Sequence, residues 1–497
     1  MFIKKHKLKF LTCIILASTA FAAWEPEQRL TNDPAISALA YNNSTKIAIS
    51  DDTVHIVWHD ERDGNREIYY KRSVDNGATW PSSPAGDVRL TNATRQSEFA
   101  AIAVSGNNVY VVWHDQRNQT GSIVHADIFF KYSRDGGTTW SNDTQLTYQP
   151  VATRSVYASI AVAGDTVHLV WEDYRDDLSG EIYYKRSLDG GITWGSDVRL
   201  TYSANFASWW PSIAVSGQNI HVVFRDSRDG AAYNHEIYYK RSLDGGANWG
   251  SDIRLTTTTA ESWNPSIAVV GDTVHVAWND GISYPNNSHE IYYKRSLDNG
   301  TTWSQNIRLS YSSVNSYFAS VAAKGSNVHI VWQEARPGPS NDIYYIHSIN
   351  NGMTWSSDTN LTNLSTSQKY LPGVAVADAN VHVLWRDLRD YSTGEMYYKR
   401  YLGIPPSYYT ITATADGPGI IIPSGYVMVN IGTDTTFTIT PNANCQLDSL
   451  VVDNINHGAD STYYTFYNVT TDHTISAYFS PVVDIEEPDN DYPLLSL

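Results

Sequence analysis

Cysteine is nearly missing from this chain of 497 residues: Cys13 and Cys445 are its two copies. Neither a disulfide framework nor a cysteine-based zinc site can be built from them. No long stretch rich in Ala, Glu, Lys and Leu occurs, while Gly, Asn, Ser, Thr, Tyr and Trp are abundant, so the composition points to an all-β protein. Positive charge is also short. The 35 basic residues face 52 acidic ones for a net charge of -17. Four of the lysines (Lys4, Lys5, Lys7, Lys9) sit in the first ten residues, and without them the balance is 31 against 52, or -21. Such an excess of negative charge argues against a nucleic-acid backbone as partner. There is no Gly-rich phosphate loop, no His-Glu-x-x-His and no EF-hand loop, so no cofactor and no metal are expected.

Residues 1–22 have a basic start, an apolar run and the ending Ala20-Phe21-Ala22, which reads as a secretory signal peptide cleaved before Ala23. The apolar run of about 13 residues is shorter than the about 20 needed to span a bilayer. Cys13 lies too early in that run, after Thr12, to serve as a lipoprotein anchor. No later segment is apolar enough to cross a membrane, so an exported or surface-associated protein is expected.

The rest of the chain to about residue 404 repeats itself every 52 to 60 residues. The clearest landmark is EIYYKRS, beginning at Glu67, Glu181, Glu236 and Glu290, with variants from Asp127, Asp342 and Glu395. Each of the seven units carries four short segments of strand character, typified by PSIAVSG, VHVVW, IYYKRS and DVRLT. Four strands per unit in tandem is the pattern of a β-propeller. A fourth-strand segment follows six of the units and is missing after the seventh, which breaks off at Tyr401-Leu402-Gly403-Ile404. The segment Glu27-Gln28-Arg29-Leu30-Thr31-Asn32 matches Asp87-Val88-Arg89-Leu90-Thr91-Asn92. The N-terminal strand is therefore expected to complete the last blade and close a seven-bladed ring over 23–404.

Between third and fourth strands the pattern Ser-x-Asp-x-Gly-x-Thr-Trp runs from Ser73 and recurs from Ser133, Ser187, Ser242, Ser296 and Ser348. Asp75, Asp135, Asp189, Asp244, Asp298 and Asn350 would accept turn N–H groups, the glycine would supply a positive φ, and the tryptophan would pack into the blade. The pattern is similar to the Asp-box, or bacterial neuraminidase repeat, and 24–404 resembles the sialidase-like propellers that carry it. Residues 407–480, with ITATA at the start, FTITP inside and NVTTDHTISAYF at the end, resemble internalin-type B-repeat modules, which implies a small spacer or adhesion domain. Cys445 is expected there as a small core residue. Residues 481–497 read as an acidic linker or tail, of the kind that leads into a further domain in similar exported proteins.

Two families of residues are candidates for ligand contact on the face opposite the box turns. The second strands end in Trp-x-Asp-x-Arg, giving Asp60/Arg62, Asp115/Arg117, Asp173/Arg175, Asp226/Arg228 and Asp387/Arg389, with Arg336 beside Glu334 in the sixth unit; the fifth keeps Asp280 but lacks the arginine. These pairs either join one another, within or between blades, or line a mouth that binds carboxylates and sugar hydroxyls. The segments entering the first strands carry aromatics, among them Phe99, Tyr157, Trp210, Trp263 and Phe318, which either fill the wedge between blades or offer platforms for sugar rings. The histidine of the second strand (His55, His168, His221, His275, His329, His382) recurs as a structural position.

The resemblance to sialidases implies three arginines on the substrate carboxylate, an Asp acid/base and a Tyr nucleophile assisted by a Glu. This chain departs from that pattern: the Phe/Tyr-Arg-Ile-Pro element is absent, and almost every candidate has a counterpart in most units. Catalytic residues are therefore unassigned. The expectation is a monomeric, exported module that binds glycans or a surface protein, with a sialidase-type glycoside hydrolase and a passive envelope scaffold as the alternatives.

Overall fold

The computed structural model describes residues 23–482, apart from 42–43, 121–124, 149–152, 177–178, 203–205, 230–233, 259, 282–287, 336–339, 363–366, 404–407, 431–432 and 470. The expected signal peptide and all but the first two residues of the acidic tail thus lie outside the described residues. The chain divides into two compact units, Phe21–Gly403 and a second that begins at Ile404.

The first unit is all β. Its described strands form seven antiparallel sheets that succeed one another along the chain. The fourth sheet is typical: Ser208–Ser216, Asn219–Asp226, Glu236–Ser242 and Ile253–Arg254 pair in that order. The second strands alternate little in burial, and in Thr166–Asp173 every residue after the first is buried. A sheet covered on both faces needs such continuous apolar runs. The covering is done by neighbouring sheets, since each apolar cluster straddles two of them; one joins Tyr110, Val112 and Phe130 to Leu169, Trp171 and Tyr183.

The last sheet has three strands of its own, Lys369–Ala377, Asn380–Asp387 and Glu395–Leu402, and the N-terminal segment pairs with the third. Gln28 lies opposite Tyr398 and Arg29 opposite Tyr397, while Ala23 and Trp24 lie opposite Leu402 and Tyr401. A buried carboxylate fixes this register. Glu395 accepts hydrogen bonds from Arg29 Nη2 at 2.8 Å, from the Asp33 amide at 2.8 Å and from the Thr31 hydroxyl. The same cluster is built inside other sheets from Glu67, Arg89 and Thr91, and from Glu236, Arg254 and Thr256. Where the acid shortens to Asp127 or Asp342, its partner becomes the amide of Gln145 or Asn360, each at 3.0 Å.

The Ser-x-Asp turns are closed locally. Asp75 accepts the Thr79 amide at 2.9 Å and its hydroxyl at 2.6 Å, and Ser73 Oγ accepts the Gly77 amide at 2.9 Å. These donors hold the carboxyls of Asp75, Asp189, Asp244 and Asp298 down at about 2, with Asp135 also lowered. Asn350 keeps the turn by accepting the Thr354 amide at 2.9 Å and donating to its hydroxyl at 2.8 Å.

Each turn then docks on the preceding sheet. Trp140 stands edge-on to Tyr70, Trp194 to Phe130, Trp249 to Tyr184, Trp303 to Tyr239 and Trp355 to Tyr293, so these indoles pack between sheets rather than within one. Trp80 of the first sheet meets Tyr398 of the last, where Arg400 also donates to the Asn76 carbonyl at 2.7 Å. Gly77 must be glycine: its φ is +77°, and a Cβ would fall 1.8 Å from the Tyr398 hydroxyl. The last sheet has no turn of this type, and Trp24 takes the missing indole's place, 4.9 Å and edge-on to Tyr345. The recurring histidines hold those tyrosine hydroxyls, as in His221 to Tyr239 at 2.7 Å, and burial pushes His55, His168, His221 and His275 down to about 4. In the second sheet both partners change, to Tyr110 and Phe130.

The second unit is a small β structure of two sheets, in which Tyr408–Asp416 runs parallel to His473–Pro481. Its core gathers Ile411, Phe437, Ile439, Leu450, Phe466 and Ile475. The expectation that Cys445 belongs to this core is corrected. It opens its strand at the end of the sheet, is only partly buried, and has Sγ 3.6 Å from the Ala443 carbonyl, while Leu447 and Leu450 further along fill the interior.

Replacing Trp24 by Ala should lower the unfolding free energy by about 2–3 kcal/mol, less than the about 3–5 of a fully buried tryptophan. Equilibrium denaturation checks it, and an unchanged midpoint would mean that the terminal indole does not hold the chain ends.

Candidate functional site

The Trp-x-Asp-x-Arg residues form closed clusters inside their own sheets. Asp60 is fully buried and accepts hydrogen bonds from the Trp58 indole at 3.0 Å, Ser37 Oγ at 2.7 Å, and Arg62 Nε and Nη2 at 2.9 and 2.7 Å. The remaining Arg62 nitrogen reaches Asp87 of the fourth strand at 2.7 Å, and the guanidinium lies over the Tyr69 ring. Asp115/Arg117, Asp173/Arg175 and Asp226/Arg228 repeat this with Asp143, Asp197 and Asp252. Asp387/Arg389 repeats it with Glu27 of the N-terminal segment at 2.6 Å. The expectation that these pairs bind ligand or link blades is corrected: both ends of each guanidinium are taken by carboxylates of the same sheet, and the second-strand carboxylates are out of reach of solvent. Arg336 lies outside the described residues.

The fifth sheet shows what the arginine does. Asp280 keeps the indole of Trp278 at 3.1 Å and the hydroxyls of Ser262 and Thr258 at 3.2 Å, with no arginine beside it, and burial pushes its carboxyl up to about 6.

The informative position is the one between the aromatic residue (Trp, or Phe224 in the fourth sheet) and the acid (Asp, or Glu334 in the sixth). In sheet order it is His59, His114, Glu172, Arg225, Asn279, Gln333 and Arg386, a polar residue that varies while its neighbours repeat. Strand alternation turns it away from the ion cluster. Arg225, His59, His114, Asn279 and Gln333 are buried at no more than 5% exposure, and all except Gln333 carry a side-chain nitrogen with no hydrogen-bond partner, as does Arg386 at Nε. Buried polar atoms left unpaired cost about 1–3 kcal/mol each; the turn indoles of Trp140, Trp194 and Trp249 and Nε of Arg228 are unpaired as well, so what sets this position apart is that it varies from sheet to sheet.

Beside these positions the first strands bulge. Ladder pairing skips between Glu98 and Ala101, Val156 and Ser159, Trp209 and Ser212, Trp263 and Ser266, Tyr317 and Ser320, and Tyr370 and Gly373. At each bulge one residue is left-handed: Phe99, Tyr157, Trp210, Asn264, Phe318 and Leu371, all with φ between 53° and 56°. Bulky residues adopt that conformation only under constraint, and such strain gathers at functional sites. Two of the constraints are visible. Glu172 accepts the Trp210 amide at 3.3 Å, and Gln333 accepts the Leu371 amide at 2.9 Å, each across to the next sheet. Of the five aromatics picked from the sequence, four are thus bulge residues and Trp263 is the residue just before one.

The side chains gather into three connected parts. A pocket of about 880 Å³ is walled by Tyr41, Tyr317, Phe318 and Tyr370, with Arg386, Gln333, Asn315 and Asn341 among its polar residues. Among the described residues no Asp or Glu lines it, although the chain carries 52 of them. Arg386 gives Nη2 to the Thr393 carbonyl at 2.8 Å and keeps Nε unpaired. Tyr41 connects the pocket to Phe99 at 5.4 Å, which in turn touches His59, His114 and Tyr157. Burial pushes His59 down to about 3, whereas the Glu98 carboxyl, beside His114 and Arg66, is held near 2 despite its burial. Under Trp210, burial raises Glu172 to about 7 against the hydrogen bond it accepts from Tyr174, which lies beneath Arg154 at 4.1 Å. Arg225 is boxed by the rings of Trp209, Trp210 and Trp263 at 4.6, 4.1 and 4.5 Å, and burial lowers it to about 10. Sequence reasoning missed this set of variable residues; aligning the seven second strands and looking for the column that changes would have found it.

No family model and no curated protein matches this chain. Among solved structures it is similar to a polysaccharide lyase of the PL25 ulvan lyase type bound to -[GlcA(1-4)Rha3S]-, with a TM-score of 0.53 and 12% identity over 74% of this chain and 94% of that one. It is likewise similar to the polysaccharide lyase Uly1, with a TM-score of 0.53 and 11% identity over 76% of this chain and 99% of that one. A Hadza microbial sialidase follows at a TM-score of 0.43 and 16% identity, over 60% and 63% of the two chains. The lyases share the fold of the first unit, an all-β propeller of four-stranded sheets.

The Asp280 cluster makes a prediction with a sign. A carboxyl that titrates at about 6 when folded and near its ordinary 3.8 when unfolded destabilises the protein progressively as pH rises between those values. Asp280→Asn should therefore stabilise the chain by about 2–3 kcal/mol at pH 8 and by almost nothing at pH 4. Asp226→Asn, which leaves Arg228 with Asp252 as its remaining carboxylate, should instead cost about 1.5–3 kcal/mol at pH 8. Urea denaturation at the two pH values measures both, and equal effects from the two substitutions would contradict the assignment.

Proposed function

We propose that the protein is an exported glycan-binding module whose ligand enters the pocket beside Arg386 and carries an anionic group there. In this reading 23–404 is a seven-bladed Asp-box propeller closed by its N-terminal strand, 407–480 is a small spacer or adhesion module, and the protein is a monomer. One observation carries the ligand class. In a strongly acidic protein, this pocket holds a guanidinium with an unpaired Nε, walls of tyrosine and phenylalanine, and no carboxylate among its lining residues. An anion would satisfy the guanidinium with charge-assisted hydrogen bonds, the ring faces would cover the sugar's apolar face, and Asn315, Asn341 and Gln333 would meet hydroxyls. Sharing a fold with lyases whose names specify polysaccharides is compatible with this class, though fold alone assigns no chemistry.

Purified protein should bind immobilised ulvan or polysialic acid in preference to neutral arabinan. Arg386→Ala should weaken the acidic ligand at least tenfold. Equal binding to arabinan, or an Arg386→Ala variant of unchanged affinity, would overturn the reading, and binding to none of the three would favour a passive scaffold.

Cleavage of the bound chain is a second reading, favoured by the neighbourhood of Glu172. A carboxyl held at about 7 is half protonated at neutral pH and suits proton donation, directly or through Tyr174. Turnover that uses it as an acid would fall above pH 7, and Glu172→Gln would abolish the pH dependence. New reducing ends, unsaturated sugar ends or free sialic acid in the incubation would establish an enzyme; their absence between pH 5 and 8 would leave the binding module.

A further inference from the structure

The pocket is one end of a longer feature. Tyr317 and Phe318, which wall it, lie 6.3 Å apart by ring centroids. Tyr317 also meets His289 at 5.1 Å, with its hydroxyl 3.3 Å from His289 Nδ1. His289 meets Trp263 at 6.5 Å, and Trp263 meets Trp210 at 5.9 Å. Every ring in this arc is half-buried, so part of each remains accessible. The arc crosses from the sixth sheet to the fourth along the bulged ends of the first strands.

Its far end is fixed by Arg225, whose guanidinium sits against all three indoles of Trp209, Trp210 and Trp263. Trp209 is further held by its indole N–H on the Ser179 carbonyl at 2.7 Å and by stacking on His235. Among the described residues the arginine makes no ion pair, Glu172 and Glu261 acting on it only through their charge, and its Nε and Nη1 lack hydrogen-bond partners. A cation in that setting gains most from desolvated ring faces, and in return it stiffens them. A hydrophobic core does not need five aromatic rings arranged as a half-buried row; a linear ligand with a repeated apolar face does.

Resting on the assignment of the pocket to an anionic sugar, we propose that this arc is a track for successive sugar units, so that the ligand is a polysaccharide chain rather than a single terminal sugar. The pocket beside Arg386 then takes one anionic unit, and Trp263 and Trp210 stack on units further along. Arg225 is a positioning residue: it touches no sugar but sets the angle of the indoles that do. Rigid aromatic platforms lose little conformational entropy on binding, so each occupied station adds to affinity.

The test uses the whole chain and size-fractionated di-, tetra- and hexasaccharides of ulvan and of polysialic acid, titrated by calorimetry. Wild-type affinity should rise at least tenfold from di- to hexasaccharide for the acidic polymer that binds. Trp263→Ala should lower hexasaccharide affinity about tenfold and leave the disaccharide unchanged. Arg386→Ala should weaken both lengths alike. Trp263→Phe, which keeps an aromatic ring and the packing, should fall between wild type and Trp263→Ala, and matching melting curves guard against a folding defect. Affinity independent of length, or loss at both lengths in Trp263→Ala with melting unchanged, would overturn the track while leaving the pocket intact. Failure of every oligosaccharide to bind wild-type protein would overturn the pocket assignment and the track together.

Discussion

A four-stranded sheet with two apolar faces cannot stand alone, because whatever covers one face leaves the other in water. Here the cover on each side is another sheet of the same kind. The contact that joins them is repeated in detail: an aromatic ring and a cation of one third strand receive the turn and the indole of the next sheet. Tyr70 takes Trp140, Tyr239 takes Trp303, and Tyr398 with Arg400 takes the first turn in the chain. Trp24, where the last sheet has no such turn, shows how strictly the contact is kept. Interiors at crystal-like packing density tolerate few changes at such a joint.

That constraint also explains where function can reside. Residues in the joint, in the Glu–Arg–Thr clusters and in the Asp–Arg clusters are held by the needs of every sheet at once, and they repeat. The side chain between Trp and Asp faces neither cluster and lies beside the bulge, where the backbone has left its ladder. It is free to differ, and it does, as two histidines, two arginines, Glu172, Asn279 and Gln333. A symmetrical frame thereby presents an asymmetric mouth. The unpaired nitrogens and left-handed aromatics at that mouth carry a cost in stability that packing alone does not explain.

Much of this was legible in one dimension. The four-strand rhythm, the turn chemistry of Asp75 and its counterparts, and the kinship of Gln28-Arg29 with Val88-Arg89 are local patterns, and local patterns survive in sequence. Asp60/Arg62 and its repeats were correctly seen as pairs, but their direction was not readable, because it depends on a third partner such as Asp87 that lies on another strand. Cys445 was misjudged for a related reason: alternation predicts the side of a sheet but not how near the sheet's end a residue falls. The aromatics Phe99, Tyr157, Trp210 and Phe318 were noticed without their bulges, since a left-handed residue leaves no mark when it is not glycine or asparagine.

By itself the sequence determined the class of fold, the repeat and the residues that serve it, because those roles are met by near neighbours and recur seven times. Only the tertiary structure decided which polar residues are satisfied and which are not. Arg62 and Arg386 look alike on the page; one is saturated by two carboxylates of its own sheet, the other stands in a pocket with an open donor. Satisfaction of a charge is a property of everything within a few ångströms, and that neighbourhood is assembled from other strands: Asp87 for Arg62, and residues as far along the chain as Tyr41 for Arg386.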